Sequence, residues 1–238
     1  MLLLAGLLLA PAMASADLET PSPKPLRVLF VGNSYIFYYS MPQVIAQFAK
    51  SQRGSAPLEI GQVTPGGATL ESHWDDGEVD RLLEAQDWDY VVLQEQSTRP
   101  IDDPDLMDEY ARKLHREIKR HGAKTVFFLS WARQAYPKQQ ADLTEAYTDI
   151  AHELHALIAP IGPAWTDVRK KHPGLTLYDA DGSHPSPAGS YLAACVLFAV
   201  LYHRSPVGLP AKVVDIRLSA EHAKILQDAA WSAVQKSR

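Results

Sequence analysis

Three residue types that cooperate in acyl-transfer chemistry stand in two segments far apart in the chain. The apolar run Leu26–Val31 stops at Gly32 and is followed by Asn33-Ser34-Tyr35. A serine directly after a strand and before a helix stands at a sheet rim beside backbone N–H groups, where a hydroxyl can act as nucleophile and its developing oxyanion finds donors. Gly-Asn-Ser is also an ordinary turn and helix cap, so the triplet does not decide the matter by itself. The second segment is Asp179-Ala180-Asp181-Gly182-Ser183-His184-Pro185-Ser186, just before an apolar helix. Asp181 and His184 are three residues apart in a turn tightened by Gly182, a spacing that lets the carboxylate orient the imidazole while the ring faces a hydroxyl. Ser34, His184 and Asp181 form a candidate triad. The competing reading is an Asx turn at a helix start, with His184 on the surface.

A triad split between two ends needs a scaffold that brings them together. After a Pro-rich tether, residues 17–25, short β-like runs alternate with longer segments of helical period, an order that argues a parallel sheet with helices on both faces. Strands are expected at Leu26–Val31, Leu58–Val63, Tyr90–Leu93, Thr125–Leu129 and near Ala159–Trp165. Helices are expected at Met41–Gln52, Glu78–Ala85, Pro104–His121, Gln139–Ile158, Pro187–His203 and Ala220–Gln235, each with apolar residues three and four apart. In such a sheet reactive groups gather in the loops at the carboxyl ends of the strands. One domain, 26–238, is the simplest count.

The composition excludes several classes. With 46% hydrophobic and 21% charged residues the chain is an ordinary globular one rather than a disordered or collagen-like segment. Its net charge of −5 and the absence of a Lys/Arg stripe argue against nucleic acid as a partner. The single thiol, Cys195, lies in an apolar run and reads as a small buried hydrophobe, so neither an intramolecular disulfide nor a multi-thiolate metal site can form. Residues 1–16 carry no charge and end in Ala14-Ser15-Ala16, the form of a signal-peptidase site. The apolar run Leu2–Ala10 is about half the length of a membrane-spanning helix, so export to the periplasm or medium of a bacterium is favoured over stable membrane insertion.

The Gly32-Asn33-Ser34 and Asp181-Gly182-Ser183-His184-Pro185-Ser186 blocks resemble the SGNH (GDSL-type) hydrolase superfamily. The resemblance implies a flavodoxin-like three-layer α/β/α sandwich with a parallel five-stranded sheet, a serine esterase activity, and the roles of nucleophile, base and orienting carboxylate for Ser34, His184 and Asp181. In that superfamily the serine N–H, a glycine N–H after the second strand and an asparagine in a Gly-x-Asn-Asp block after the third bind the oxyanion. This chain has one asparagine, Asn33. Leu93-Gln94-Glu95-Gln96-Ser97 follows the third strand, and alignment by strand end puts Gln96 at the asparagine position, with the same carboxamide donors on a longer arm. Gln94 takes that place if the strand ends sooner. Gly67, before a short helix-like turn, is favoured over Gly66 as the glycine donor, although the pair could form only a reverse turn. Together with Asp87-Trp88-Asp89-Tyr90 and Tyr191-Leu192-Ala193-Ala194-Cys195, the Gln-Glu-Gln block resembles a bacterial branch often associated with carbohydrate-related proteins.

No cofactor and no metal is implied. His152-Glu153-Leu154-His155 has its histidines three apart rather than in the zinc-protease spacing, Asp102-Asp103-Pro104-Asp105 lacks the rest of an EF-hand loop and reads as a helix start, and Gly66-Gly67 is not a dinucleotide fingerprint. The aromatics Tyr35, Phe37, Tyr38, Tyr39, Trp74 and Trp131 fall in or near the rim loops. Tyr35, Trp74 and Trp131, with Gln94, are the candidate substrate contacts, and Arg99 and Arg133, each after a strand, could hold an anionic or hydroxylated substrate. The expected reaction is hydrolysis of a short-acyl ester, acetyl on a carbohydrate, through an acyl-enzyme. An acyltransferase with the same triad and a catalytically silent glycan-binding protein remain the alternatives, and the oligomeric state is left open.

Overall fold

In the computed structural model, which describes residues 23–237, the run that leads to Ser34 is an inner strand of a parallel sheet. The elements follow in the order β1 (Leu26–Val31), α1 (Ser34–Phe37), α2 (Met41–Ser51), β2 (Leu58–Val63), α3 (Leu70–Asp76), α4 (Glu78–Ala85), β3 (Tyr90–Leu93), α5 (Arg99–Asp102), α6 (Pro104–Arg120), β4 (Lys124–Leu129), α7 (Gln140–Leu154), β5 (Leu157–Pro160), α8 (Ile161–Lys171), α9 (Pro187–Tyr202) and α10 (Ala220–Lys236). A small hairpin, β6 (Lys212–Val213) with β7 (Ile216–Arg217), precedes the last helix. Residues 1–16, the expected signal segment, and most of the expected tether lie outside the described residues.

The sheet order is β2-β1-β3-β4-β5, all parallel. The chain runs outward from β1 to β2 and then restarts at β3 on the other side of β1. The crevice beyond the carboxyl ends of β1 and β3 is therefore the switch point where open α/β sheets bind ligands. Val31 pairs with both Val63 and Leu93, so the first three strands end level and their loops meet at one rim.

Alternation along the strands builds two cores. Val28, Phe30, Val92, Val126 and Phe128 face α2, α8, α9 and α10, while Leu29, Val31, Val91, Leu93, Phe127 and Leu129 face α3, α4, α6 and α7. Helix α9 is buried on every side because α2 and α10 flank it against the sheet, which explains why its sequence shows no polar stripe. Cys195 lies in it, fully buried, and burial pushes its thiol well above the ordinary range. Asp103 accepts from Leu106 N–H with Pro104 at the first position of α6, so the acidic cluster there includes a helix cap.

The fifth strand departs from expectation. It spans Leu157–Pro160, and Ile161–Trp165, read as its continuation, instead opens α8. Short apolar runs of this kind fit a strand or a buried helix equally well. Pro163 sits in the first turn of α8, where no N–H is needed, and Gly162 has no side chain because Ser130 O and the Gln140 amide press against its Cα. Helix α7 likewise ends at Leu154, with His155 left-handed (φ 52°) at its C-cap, rather than running to Ile158.

Candidate active site

Ser34 is the first residue of α1, at the exit of β1. Its position is fixed mainly by Asn33, which is 3% exposed. The Asn33 carboxamide oxygen accepts from Tyr35 N–H (3.2 Å) and caps α1, its Nδ2 donates to Ala68 O (2.9 Å), and its backbone N–H donates to Gln94 Oε1 (2.9 Å). One side chain thus ties the serine turn to the loops after β2 and β3. Gly32 is small because Gln94 approaches it: a Cβ there would stand 2.6 Å from Gln94 Oε1. His73 Nε2 donates to Gly32 O (2.8 Å) from beneath, and burial lowers the imidazole's pKa, which keeps it a neutral donor.

The late loop brings its two residues to that serine. Ser34 Oγ lies 2.8 Å from His184 Nε2, and His184 Nδ1 hydrogen-bonds Asp181 Oδ2. The other carboxylate oxygen, Oδ1, accepts from the N–H groups of Ser183 and His184 (2.9 Å each), closing a tight turn in which Gly182 takes φ 68°. The bond to His184 and these amides hold the Asp181 carboxyl down at about 2. The loop is fastened to the strand-β4 loop by Gln134 N–H to Gly182 O (2.8 Å) and by Trp131 Nε1–H to Ser183 O (3.0 Å). Tyr38 stacks on the His184 ring (4.4 Å between centroids, 13° between planes), and Tyr35 meets it edge-on.

Beside the serine lies a cavity of about 420 Å³ lined by Ser34, Gly66, Gly67, Gln96, Arg133 and His184, among others. The Ser34 N–H heads α1 and the Gly67 N–H lies in a turn at φ 73°; neither amide has an acceptor among the described residues. Gln96 directs its carbonyl oxygen to Thr98 N–H (2.8 Å) and Arg99 N–H (3.1 Å). That orientation leaves its NH₂ group with no acceptor among the described residues.

Other residues singled out in the sequence fall elsewhere. Gln94 is 0% exposed and serves as acceptor for Asn33, so it is a structural tie rather than a cleft contact. Trp131 is also fully buried, stacked between Tyr35 (4.5 Å) and Trp165 (4.1 Å). The expectation that it touches substrate is corrected: it supports the wall from behind. Trp74 borders a separate cavity with His73, Asp80 and Glu117 on the α3–α6 side. Tyr35 does line the cleft, its hydroxyl 2.7 Å from Ser183 Oγ, as do Phe37 and Tyr38. Arg99 is paired with Glu71 (3.2 Å).

Glu95 is a functional residue to which the sequence assigns no role. It is 1% exposed, and its carboxyl accepts from Gln96 N–H (2.6 Å) and from Leu70 N–H at the start of α3 (3.2 and 3.3 Å). Its own N–H donates to the buried Tyr147 hydroxyl (3.2 Å). Desolvation raises this carboxyl to about 7. Glu95 therefore anchors Gln96 and the helix that follows the Gly66-Gly67 turn. The one signal in the sequence is a charge set directly against an apolar strand end.

A serine, histidine and aspartate in relay order at the rim of a five-stranded parallel sheet define the architecture of a serine hydrolase of the three-layer α/β/α kind. No family model and no curated protein matches the sequence. Solved structures do. A putative SGNH hydrolase from Slackia heliotrinireducens is 28% identical with a TM-score of 0.66, over 75% of this chain and 100% of that one. A DUF4886 family protein from Bacteroides uniformis is 21% identical with a TM-score of 0.75, over 89% of this chain and 95% of that one. An acetyl-xylooligosaccharide esterase from Geobacillus is 15% identical with a TM-score of 0.62, over 83% and 100% of the two chains. These neighbours, an SGNH hydrolase at 28% identity among them, support the SGNH/GDSL hydrolase superfamily for this chain.

Proposed function

We propose that the protein is a carboxylic ester hydrolase that removes a short acyl group, acetyl, from a carbohydrate by a covalent serine mechanism. The observation that carries this reading is the continuous relay Ser34 Oγ, His184 Nε2 (2.8 Å), His184 Nδ1, Asp181 Oδ2 at the edge of an open cavity. His184 takes the hydroxyl proton as Ser34 Oγ bonds to the ester carbonyl carbon. The resulting oxyanion accepts from Ser34 N–H, Gly67 N–H and Gln96 Nε2. Collapse expels the alcohol, which takes the proton from His184, and leaves an acyl-serine. Water, deprotonated by His184, then releases the acid. Asp181, ionised throughout the working range, holds the ring in the Nδ1–H tautomer.

A short acyl group is favoured by the cavity of about 420 Å³ and by the absence of a long apolar lid segment in the sequence. The acetyl-xylooligosaccharide esterase among the fold's relatives supports a glycan ester. The proposal includes export, on the strength of the uncharged segment ending in Ala14-Ser15-Ala16; no helix among the described residues is long and apolar enough to cross a membrane. The test is turnover of p-nitrophenyl esters from acetyl to palmitoyl beside acetylated oligosaccharides. Turnover falling steeply beyond short chains, with acetate released from the oligosaccharides, supports the reading. A palmitoyl optimum, or no ester hydrolysis at all, overturns it.

A further inference from the structure

The cavity at Ser34 carries a cation that no carboxylate among the described residues neutralises. Arg133 lines it, directly after β4, where the Gln134-to-Gly182 and Trp131-to-Ser183 bonds lock its backbone to the triad loop. Its Nη2 donates to Ser97 Oγ (3.0 Å), its Nε is buried with no acceptor, and among the described residues it takes part in no ion pair. Among the described residues no aspartate or glutamate lines the cavity. The neighbouring polar groups are neutral: Ser97, Ser183, Gln96, and Tyr35, whose phenol is kept protonated by burial. The nearby Asp181 carboxylate is engaged by His184 and two backbone amides. Arg99, the other arginine that follows a strand, shows the contrast, since Glu71 balances it. A half-buried guanidinium with no counter-charge is costly unless a ligand completes it.

Resting on the ester-hydrolase reading above, the geometry points to Arg133 as the residue that recognises a carboxylate on the substrate, which makes the substrate class acylated acidic sugars of the uronic acid type. A planar carboxylate suits a guanidinium better than a sugar hydroxyl does, because the charge-assisted bonds form in a water-poor wall. Arg133 in this account binds the part of the sugar away from the scissile ester and takes no part in bond making.

The test uses a pair of substrates that differ at one carbon: monoacetylated methyl glucoside and monoacetylated methyl glucuronoside, with the 6-sulfate of the glucoside as a third arm. The full chain should prefer the glucuronoside in kcat/KM by about 10–100-fold, the range of a charge-assisted hydrogen bond. Arg133→Gln should bring the ratio to within about twofold, and Arg133→Lys should keep part of it. Because the readout is a ratio, a general lesion in the cleft cancels. Should Arg133→Gln fail to fold, binding of free glucuronate against glucose to the Ser34→Ala protein, measured by calorimetry, asks the same question. Equal kcat/KM for the two sugars in the unaltered protein, or an unchanged ratio in a folded Arg133→Gln protein, overturns the proposal. An equal or greater preference for the sulfate overturns the assignment to carboxylate. Loss of all hydrolysis of p-nitrophenyl acetate by the unaltered protein would instead strike the ester-hydrolase reading, so the two failures are distinguishable.

Discussion

Two carboxyl groups stand behind the lining of the same cleft, each next in line to a residue that borders it, in opposite electrostatic states. Asp181 is held at about 2 by the His184 imidazole and two backbone amides, in a partly solvated turn. Glu95 stands at about 7 because burial outweighs the amides of Gln96 and Leu70 that it accepts. Asp181 is suited to stabilising an imidazolium that forms during turnover, whereas Glu95 is suited to holding backbone in place and contributes no permanent charge to the oxyanion side at mildly acidic pH. The division keeps negative charge on the proton-relay side and away from where an oxyanion would develop.

The largest expected effect breaks the relay side. Asp181→Asn should lower turnover by about 10³–10⁴-fold at neutral pH with the fold intact, because a carboxamide can no longer fix the Nδ1–H tautomer or balance the imidazolium. Steady-state kinetics beside circular dichroism check this, and a loss under tenfold would remove Asp181 from the relay.

The next effect concerns the oxyanion side. Gln96→Ala should cost about 10²–10³-fold in turnover, or about 3–4 kcal/mol, with little change in KM, since the bond is made chiefly in the transition state. Gln94→Ala should act through stability, by about 1–3 kcal/mol in urea unfolding, because the buried Asn33 N–H loses its acceptor. The reverse assignment of effects would move the donor to Gln94.

The third prediction separates the two carboxyls by pH. A carboxyl raised in the folded state, as Glu95 is from 4.5 to about 7, favours folding fully below its unfolded pKa, and that contribution is lost as pH climbs through about 7. Glu95→Gln cannot ionise, so its stability relative to the unaltered protein should rise by about 3 kcal/mol between pH 4.5 and pH 8. Unfolding midpoints at several pH values read this directly, and a pH-independent difference would show that Glu95 is ionised throughout.

The comparison also explains what could be read from the sequence. The Asp181–His184 pairing is local, three residues within one turn, and the strands that lead to Ser34 and Gln96 are buried apolar runs, although the end of the third left Gln94 and Gln96 both open as donors. Glu95 is different in kind: its partners are Leu70 and Tyr147, brought close only by the sheet order and the packing of α3 and α7. Trp131 differs from expectation for the same reason, because a position after a strand says nothing of whether a neighbouring ring, here Tyr35, stands between it and the cleft. The end of β5 was hidden by an apolar run that suits a strand and a buried helix alike.

The central claim is that Ser34 is a nucleophile activated by His184. Treatment of the full chain with a serine-directed fluorophosphonate, followed by intact-mass measurement and peptide mapping, tests it without knowledge of the substrate. The account predicts one equivalent of adduct on Ser34, no adduct in Ser34→Ala, and much slower labelling in His184→Ala. An unlabelled folded protein, an adduct at another residue, or undiminished labelling of Ser34→Ala would contradict it.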